Sequence, residues 1–103
     1  MSKHPQPPQA PANAHIERAI QLLGSGVELA SVLDRSPQFV SQLRKGERPV
    51  PQDLCPLIEK ATKGEVTCEQ LLGNVQWYRV RDKSWPHPAG RPLVDVAASA
   101  QQA

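Results

Sequence analysis

The sequence predicts an all-α fold, a bundle of about five short helices with two of them joined by a tight turn. Two observations carry that expectation. Apolar residues recur at i, i+3, i+4 and i+7 in successive segments, the spacing of a helix with one buried face. Helix start and stop signals, a Ser-Pro, a Thr with Gln three residues on, and well-placed glycines, punctuate those segments. Only LVDVA at 93–97 has weak strand character.

With 103 residues, the chain holds one domain at most. Its 11 prolines crowd residues 5–11, 49–56 and 86–92. The opening MSKHPQPPQAPAN is rich in Pro, Gln and Ala and has too little apolar surface to offset its ordering entropy. It reads as a flexible segment over 1–13, without the apolar run of a signal peptide. Residues 14–73 read as the helical domain, and 74–103 as an extended, aromatic and proline-rich tail whose end, AASAQQA, frays. No run is apolar enough to span a membrane.

The first helix is expected from about Ala14 to Leu23, with Ile16, Ala19, Ile20 and Leu23 inward, Asn13 as N-cap and Gly24 as stop. A second begins near Val27 and turns Leu29, Ala30 and Leu33 inward; the small Ala30 allows a close helix crossing. Asp34 and Arg35 make the turn. Ser36 caps the third helix and Pro37 takes its first position, where a missing N–H costs nothing. That helix runs to about Lys45 and stops at Gly46, with Val40 and Leu43 inward. A fourth is expected over about 52–63, its first turn separate or kinked at Pro56, and Gly64 closes it. Thr67 and Gln70 form a capping box that opens a short fifth helix to about Leu72.

The third helix carries the functional expectation. Gln38, Ser41, Gln42 and Lys45 fall on one stripe. The stripe offers amides and a hydroxyl, groups suited to base-pair edges in a major groove. A helix of about nine residues is roughly 13 Å long, and that groove is about 12 Å wide. The bland alternative is a helical hairpin with a solvated face. Gln38 and Gln42 can bond an adenine edge or donate to guanine, and Ser41 can reach a base or a phosphate. Arg44 and Lys45 suit the backbone, as does Arg48 from the following loop. Ser36 and Pro37 begin the helix, whose first N–H groups can hold a phosphate. Phe39 either packs inward or touches a thymine methyl. The net charge is only +2, but Arg35, Arg44, Lys45 and Arg48 cluster here, opposed by Asp34 and Glu47.

The remaining chemistry is sparse. Cys55 and Cys68 form no CxxC pair and have no histidine at ligand spacing, so they read as two buried thiols. No cofactor, no metal site and no catalytic constellation is expected, so the chain does not read as an enzyme. Trp77, Tyr78 and Trp85 sit among Arg79, Arg81 and Lys83. The tail either wraps the helices, burying both tryptophans, or builds a dimer interface. His87 reads as a solvent or turn residue.

The stretch LASVLDRSPQFVSQLRKGERPVPQDLCPLIEKATKGEVTCEQL resembles the Cro-like, YdaS-type helix-turn-helix proteins of lambdoid phages and prophages. Cys55, Pro56, Ile58, Glu59, Ala61, Thr62, Gly64, Val66, Thr67 and Leu71 match that family's second half. The ending resembles a bacterial subgroup through Trp77, Arg79, Val80, Arg81, Asp82, Trp85, Pro86, His87, Pro88 and Gly90, and the likeness covers about 15–97. It implies a λ-repressor-like fold and a cytoplasmic, operator-binding regulator, a prophage repressor that acts on double-stranded DNA as a homodimer. A YdaS-type antitoxin that also grips a toxin, and an adaptor that has lost DNA binding, are the alternatives. Two positions depart from the family. Asp34 stands where Gly is common, and Arg35 where an apolar residue is usual. Asp tolerates the left-handed conformation, and the arginine stem can cover the core while its head reaches solvent or phosphate.

Overall fold

The computed structural model describes residues 13–94. The flexible segment expected at 1–13, Asn13 apart, and the fraying end of the tail lie outside the described residues. Within them, five short helices form the body: α1 Ala14–Leu23, α2 Gly26–Leu33, α3 Pro37–Lys45, α4 Cys55–Ala61 and α5 Cys68–Leu71. The break expected at Pro56 is present as a separate 3₁₀ turn, Gln52–Leu54, just before α4. The capping box stands, since Thr67 Oγ1 accepts from Gln70 N and Gln70 Oε1 accepts from Thr67 N.

The inward stripes meet in one core. Ile16 and Ala19 of α1, Leu29, Ala30 and Leu33 of α2, and Val40 and Leu43 of α3 are all buried. Leu54, Cys55 and Ile58 join it from α4 and the turn before it, and Val50, Val66, Cys68 and Leu71 complete it. Each valine, leucine or isoleucine among them contributes about 1.5–3 kcal/mol by leaving water. Both cysteines are free and buried. Burial above all pushes the Cys55 thiol up to about 12 and raises Cys68 as well, so both stay protonated and inert.

The tail adds a small two-stranded sheet to the expected all-α body. It is not simply extended. β1 Trp77–Val80 pairs antiparallel with β2 Arg91–Val94, placing Trp77 opposite Val94 and Val80 opposite Arg91. The weak strand signal at 93–97 therefore begins two residues early, and its last three residues lie outside the described part. A two-stranded ribbon is marginal alone, and this one is held to the body by side chains. The tail wraps the helices, as one of its two readings expected, but both tryptophans are half-buried rather than buried.

Candidate nucleic-acid interface

The α2–turn–α3 unit forms as local chemistry dictates. Ser25 caps α2 by accepting from Glu28 N, at 3.1 Å. α2 ends at Asp34, in the left-handed region at φ 56° and ψ 47°, so this aspartate fills the turn position that favours glycine. The Asp34 and Arg35 N–H groups return to Ser31 O and Ala30 O. Ser36 Oγ then accepts from Phe39 N at 3.1 Å, and Pro37 opens α3. Gly46 ends α3 at φ 77°.

α3 brings the expected residues together. Val40 and Leu43 face the core, and Gln38, Ser41, Gln42 and Lys45 lie on the opposite side. Gln38 and Lys45 are exposed, whereas Ser41 and Gln42 are half-buried. Gln42 shares an open groove of about 550 Å³ with Glu47, Arg48, Pro49 and Pro51. Ser36 and Pro37 are exposed at the helix start. Phe39 is half-buried and packs against the core.

The cations are arranged less simply than their spacing suggests. Arg44 turns back to α1, where its Nε lies 2.5 Å from Glu17 Oε1. The backbone ties the same two elements, with Asn13 N donating to Arg44 O at 3.3 Å. Arg44 is thus partly neutralised in the free protein. The basic patch at α3 rests instead on Lys45, Arg48 and Arg35. Arg35, in the turn, lies over the Phe39 ring rather than in the core. Neither Glu17 nor the Arg35–Phe39 contact had a signal in the helical periodicity, because both partnerships cross between elements.

The second polar assembly joins body to tail. Glu59, on α4, is fully buried. Arg79 of β1 grips it with two nitrogens, at 2.6 and 2.7 Å, and Trp85 Nε1 and Cys68 N donate to it as well. Arg79 also reaches Glu69 and the Gly90 carbonyl. Burial by itself raises the Glu59 carboxyl, but the bonds from Arg79, Trp85 and Cys68 outweigh it and hold its pKa below the ordinary glutamate value. The motif positions 59, 79 and 85 carried the only sequence hint of this hub. Among the described residues no group of three or more His, Cys, Asp or Glu could hold a metal, and no helix is long and apolar enough to cross a membrane.

A family model described as "Bacterial toxin YdaS" matches residues 16–80, from α1 through β1. A relative from Escherichia coli (strain K12), described as "Putative transcriptional regulator YdaS", is 39% identical over 69 residues, 67% of this chain and 70% of the relative. The chain belongs to the YdaS family. No solved structure matches it. The matched stretch contains α2, α3, Glu59 and Arg79, and it stops short of Trp85 and β2. The family resemblance expected over about 15–97 is therefore shown for the body and the first strand.

Proposed function

We propose that the chain is a sequence-specific DNA-binding regulator of transcription, a Cro-like repressor that reads operator DNA with α3. One observation carries this reading. Gln38, Ser41 and Gln42 share the outer face of a nine-residue helix whose inner face is anchored by Val40 and Leu43. Such a helix can enter the major groove and present amides to base edges. Lys45, Arg48 and, after release from Glu17, Arg44 would meet the phosphates, with Ser36 and Pro37 at the start of the helix nearby. The relative's description as a transcriptional regulator supports the same reading.

In this reading, α2 and α3 are a helix-turn-helix in a λ-repressor-like body. The protein works in the cytoplasm on double-stranded DNA and catalyses nothing. As a homodimer it would occupy two half-sites one helical turn apart. A footprint on the DNA upstream of its own gene, at two salt concentrations, tests this. A short symmetric protected site is the expected result. Diffuse protection that fades with salt, or none, sinks the reading and favours an adaptor without DNA binding.

The word toxin in the family's description favours a second reading, in which the chain arrests growth of the cell that makes it. Induced expression of the wild type beside a Gln38→Ala, Gln42→Ala variant separates the possibilities. Arrest by the wild type alone places toxicity at the DNA-reading face. Arrest by both the wild type and the variant places it elsewhere, and arrest by neither removes the toxin reading. Protection of cells from the product of a neighbouring gene would mark the antitoxin alternative.

A further inference from the structure

Arg35 precedes α3 in the chain and Arg48 follows it, yet both guanidinium groups lie over the ring of Phe39. The Cζ of Arg48 is 4.9 Å from the ring centroid, and that of Arg35 is 5.8 Å away. A cation–π contact attracts each cation but neutralises neither, and two like charges at one ring repel. Elsewhere the chain pairs arginine with carboxylate, as in Arg18–Glu65, Arg44–Glu17, Arg79–Glu59 and Arg91–Asp82. Among the described residues, neither Arg35 nor Arg48 is in an ion pair. The adjacent acids, Asp34 and Glu47, are exposed and pair with neither.

The Arg35 head is already held in place. Its Nη1 donates to Leu33 O at 3.3 Å and to Asp34 O at 3.1 Å, where the end of α2 favours a cation. Nε and Nη2 are left for a ligand. Arg48 lines the groove that Gln42 also lines. Around α3, Phe39 lies about 60° from Gln42, at roughly 100° per residue, so the pair borders the reading stripe. A guanidinium offers paired N–H groups that fit two phosphate oxygens. One that is held before binding loses less freedom.

We infer that Arg35 and Arg48, aimed by Phe39, form a preassembled clamp for the sugar–phosphate backbone of DNA. Phe39 is a positioning residue there and does not read a base. The inference rests on the DNA-binding reading and adds Arg35 and Phe39 to it.

The test titrates the full chain with a short random-sequence DNA duplex over a salt series. Arg35→Gln and Arg48→Gln should each weaken binding and lower the slope of log K against log[salt] by about 0.9 for a lost phosphate contact. Phe39→Leu keeps both charges, so it should weaken binding several-fold with the slope retained. Arg81→Gln, on the tail, should change neither quantity. Both clamp arginines are exposed, so their variants carry the test even if Phe39→Leu lowers stability. If the wild type binds and Arg35→Gln keeps its affinity and slope, the clamp is wrong and DNA binding stands. If the wild type shows no salt-dependent binding, the DNA-binding reading falls and the clamp with it. A Phe39→Leu loss confined to the footprinted operator, and absent on random sequence, would mean that Phe39 touches a base and overturn its positioning role.

Discussion

Arg44 and Lys45 are neighbours in sequence with the same charge, and the structure separates them. Lys45 is exposed and in no ion pair among the described residues, whereas Arg44 is bound to Glu17 of α1. If α3 meets DNA, Lys45→Gln should reduce the salt slope by about 0.9. Arg44→Gln should reduce it less, because Arg44 must exchange Glu17 for a phosphate. Equal slopes in a salt titration of the two variants would mean that the Glu17 pair opens freely on binding. On the reading face, Gln42→Ala should cost about 1–3 kcal/mol of discrimination at one base position. Competition between operator duplexes differing at single positions measures this. Gly90 decides a different question. It sits at φ 105°, and a Cβ there would lie 2.1 Å from the Val80 carbonyl oxygen. Gly90→Ala should destabilise the protein by about 1–3 kcal/mol from backbone strain alone, and further through displacement of β1. Denaturant unfolding followed by tryptophan fluorescence reads that loss.

At the level of elements, the ribbon β1–β2 is too small to stand by itself, and the body holds it through a few directed contacts. Trp77 Nε1 donates to Leu72 O at 2.8 Å, just after α5. Lys60 of α4 lies over the Trp85 ring at 5.8 Å. The strongest link is Arg79 on Glu59. Removing one partner of a buried pair leaves the other charge without compensation, so Arg79→Met should cost about 3–5 kcal/mol. Arg79→Met with Glu59→Leu should cost less than the two single changes together. It should still cost something, because Cys68 N and Trp85 Nε1 also lose their acceptor. Additive losses in a double-mutant cycle would show that the two charges do not depend on each other.

The helical elements were legible because each carries its own periodicity, and all but α4 carry a side-chain cap as well. Asn13, Ser36 and Thr67, expected as caps from the sequence, and Ser25, not expected as one, all accept from the N–H three residues on, an interaction that needs no distant partner. β1 was not legible. Its four residues alternate between half-buried and exposed, and its partner strand is separated from it by a loop rich in proline. Trp77, Tyr78 and Val80 favour a strand, but four residues without an alternating apolar pattern are too short for periodicity to decide.

Across the whole molecule, the buried hub makes stability depend on pH. Glu59 and Glu69 both have folded-state pKa values below the ordinary glutamate value. For Glu59 burial opposes this and the hydrogen bonds overcome it; for Glu69 the bond from Arg79 leads. A depressed carboxyl pKa means that the unfolded chain takes up protons first as pH falls. The contribution is complete above the ordinary value of about 4.3; it declines below that pH as the unfolded chain binds protons, and it is lost once Glu59 is protonated in the folded protein as well. Thermal melts should therefore show a flat region at neutral pH and a falling Tm below about pH 4.3. In Glu59→Gln the part of that slope due to residue 59 should vanish. An unchanged acid slope in Glu59→Gln would place the sensitivity elsewhere, with Glu69 the next residue to test.

By itself, the sequence determined the five helices, the capped turn between α2 and α3, the order of residues along α3, and the family. These depend on contacts within one turn of helix or on a spacing that repeats along the chain. Only the tertiary structure decided which cations are free. It withdrew Arg44 to Glu17, brought Arg35 and Arg48 to one aromatic ring, and buried Glu59 under a strand from the tail. The physical reason is the same in each case. A charge is defined by its neighbours in space, and here those neighbours lie on other elements.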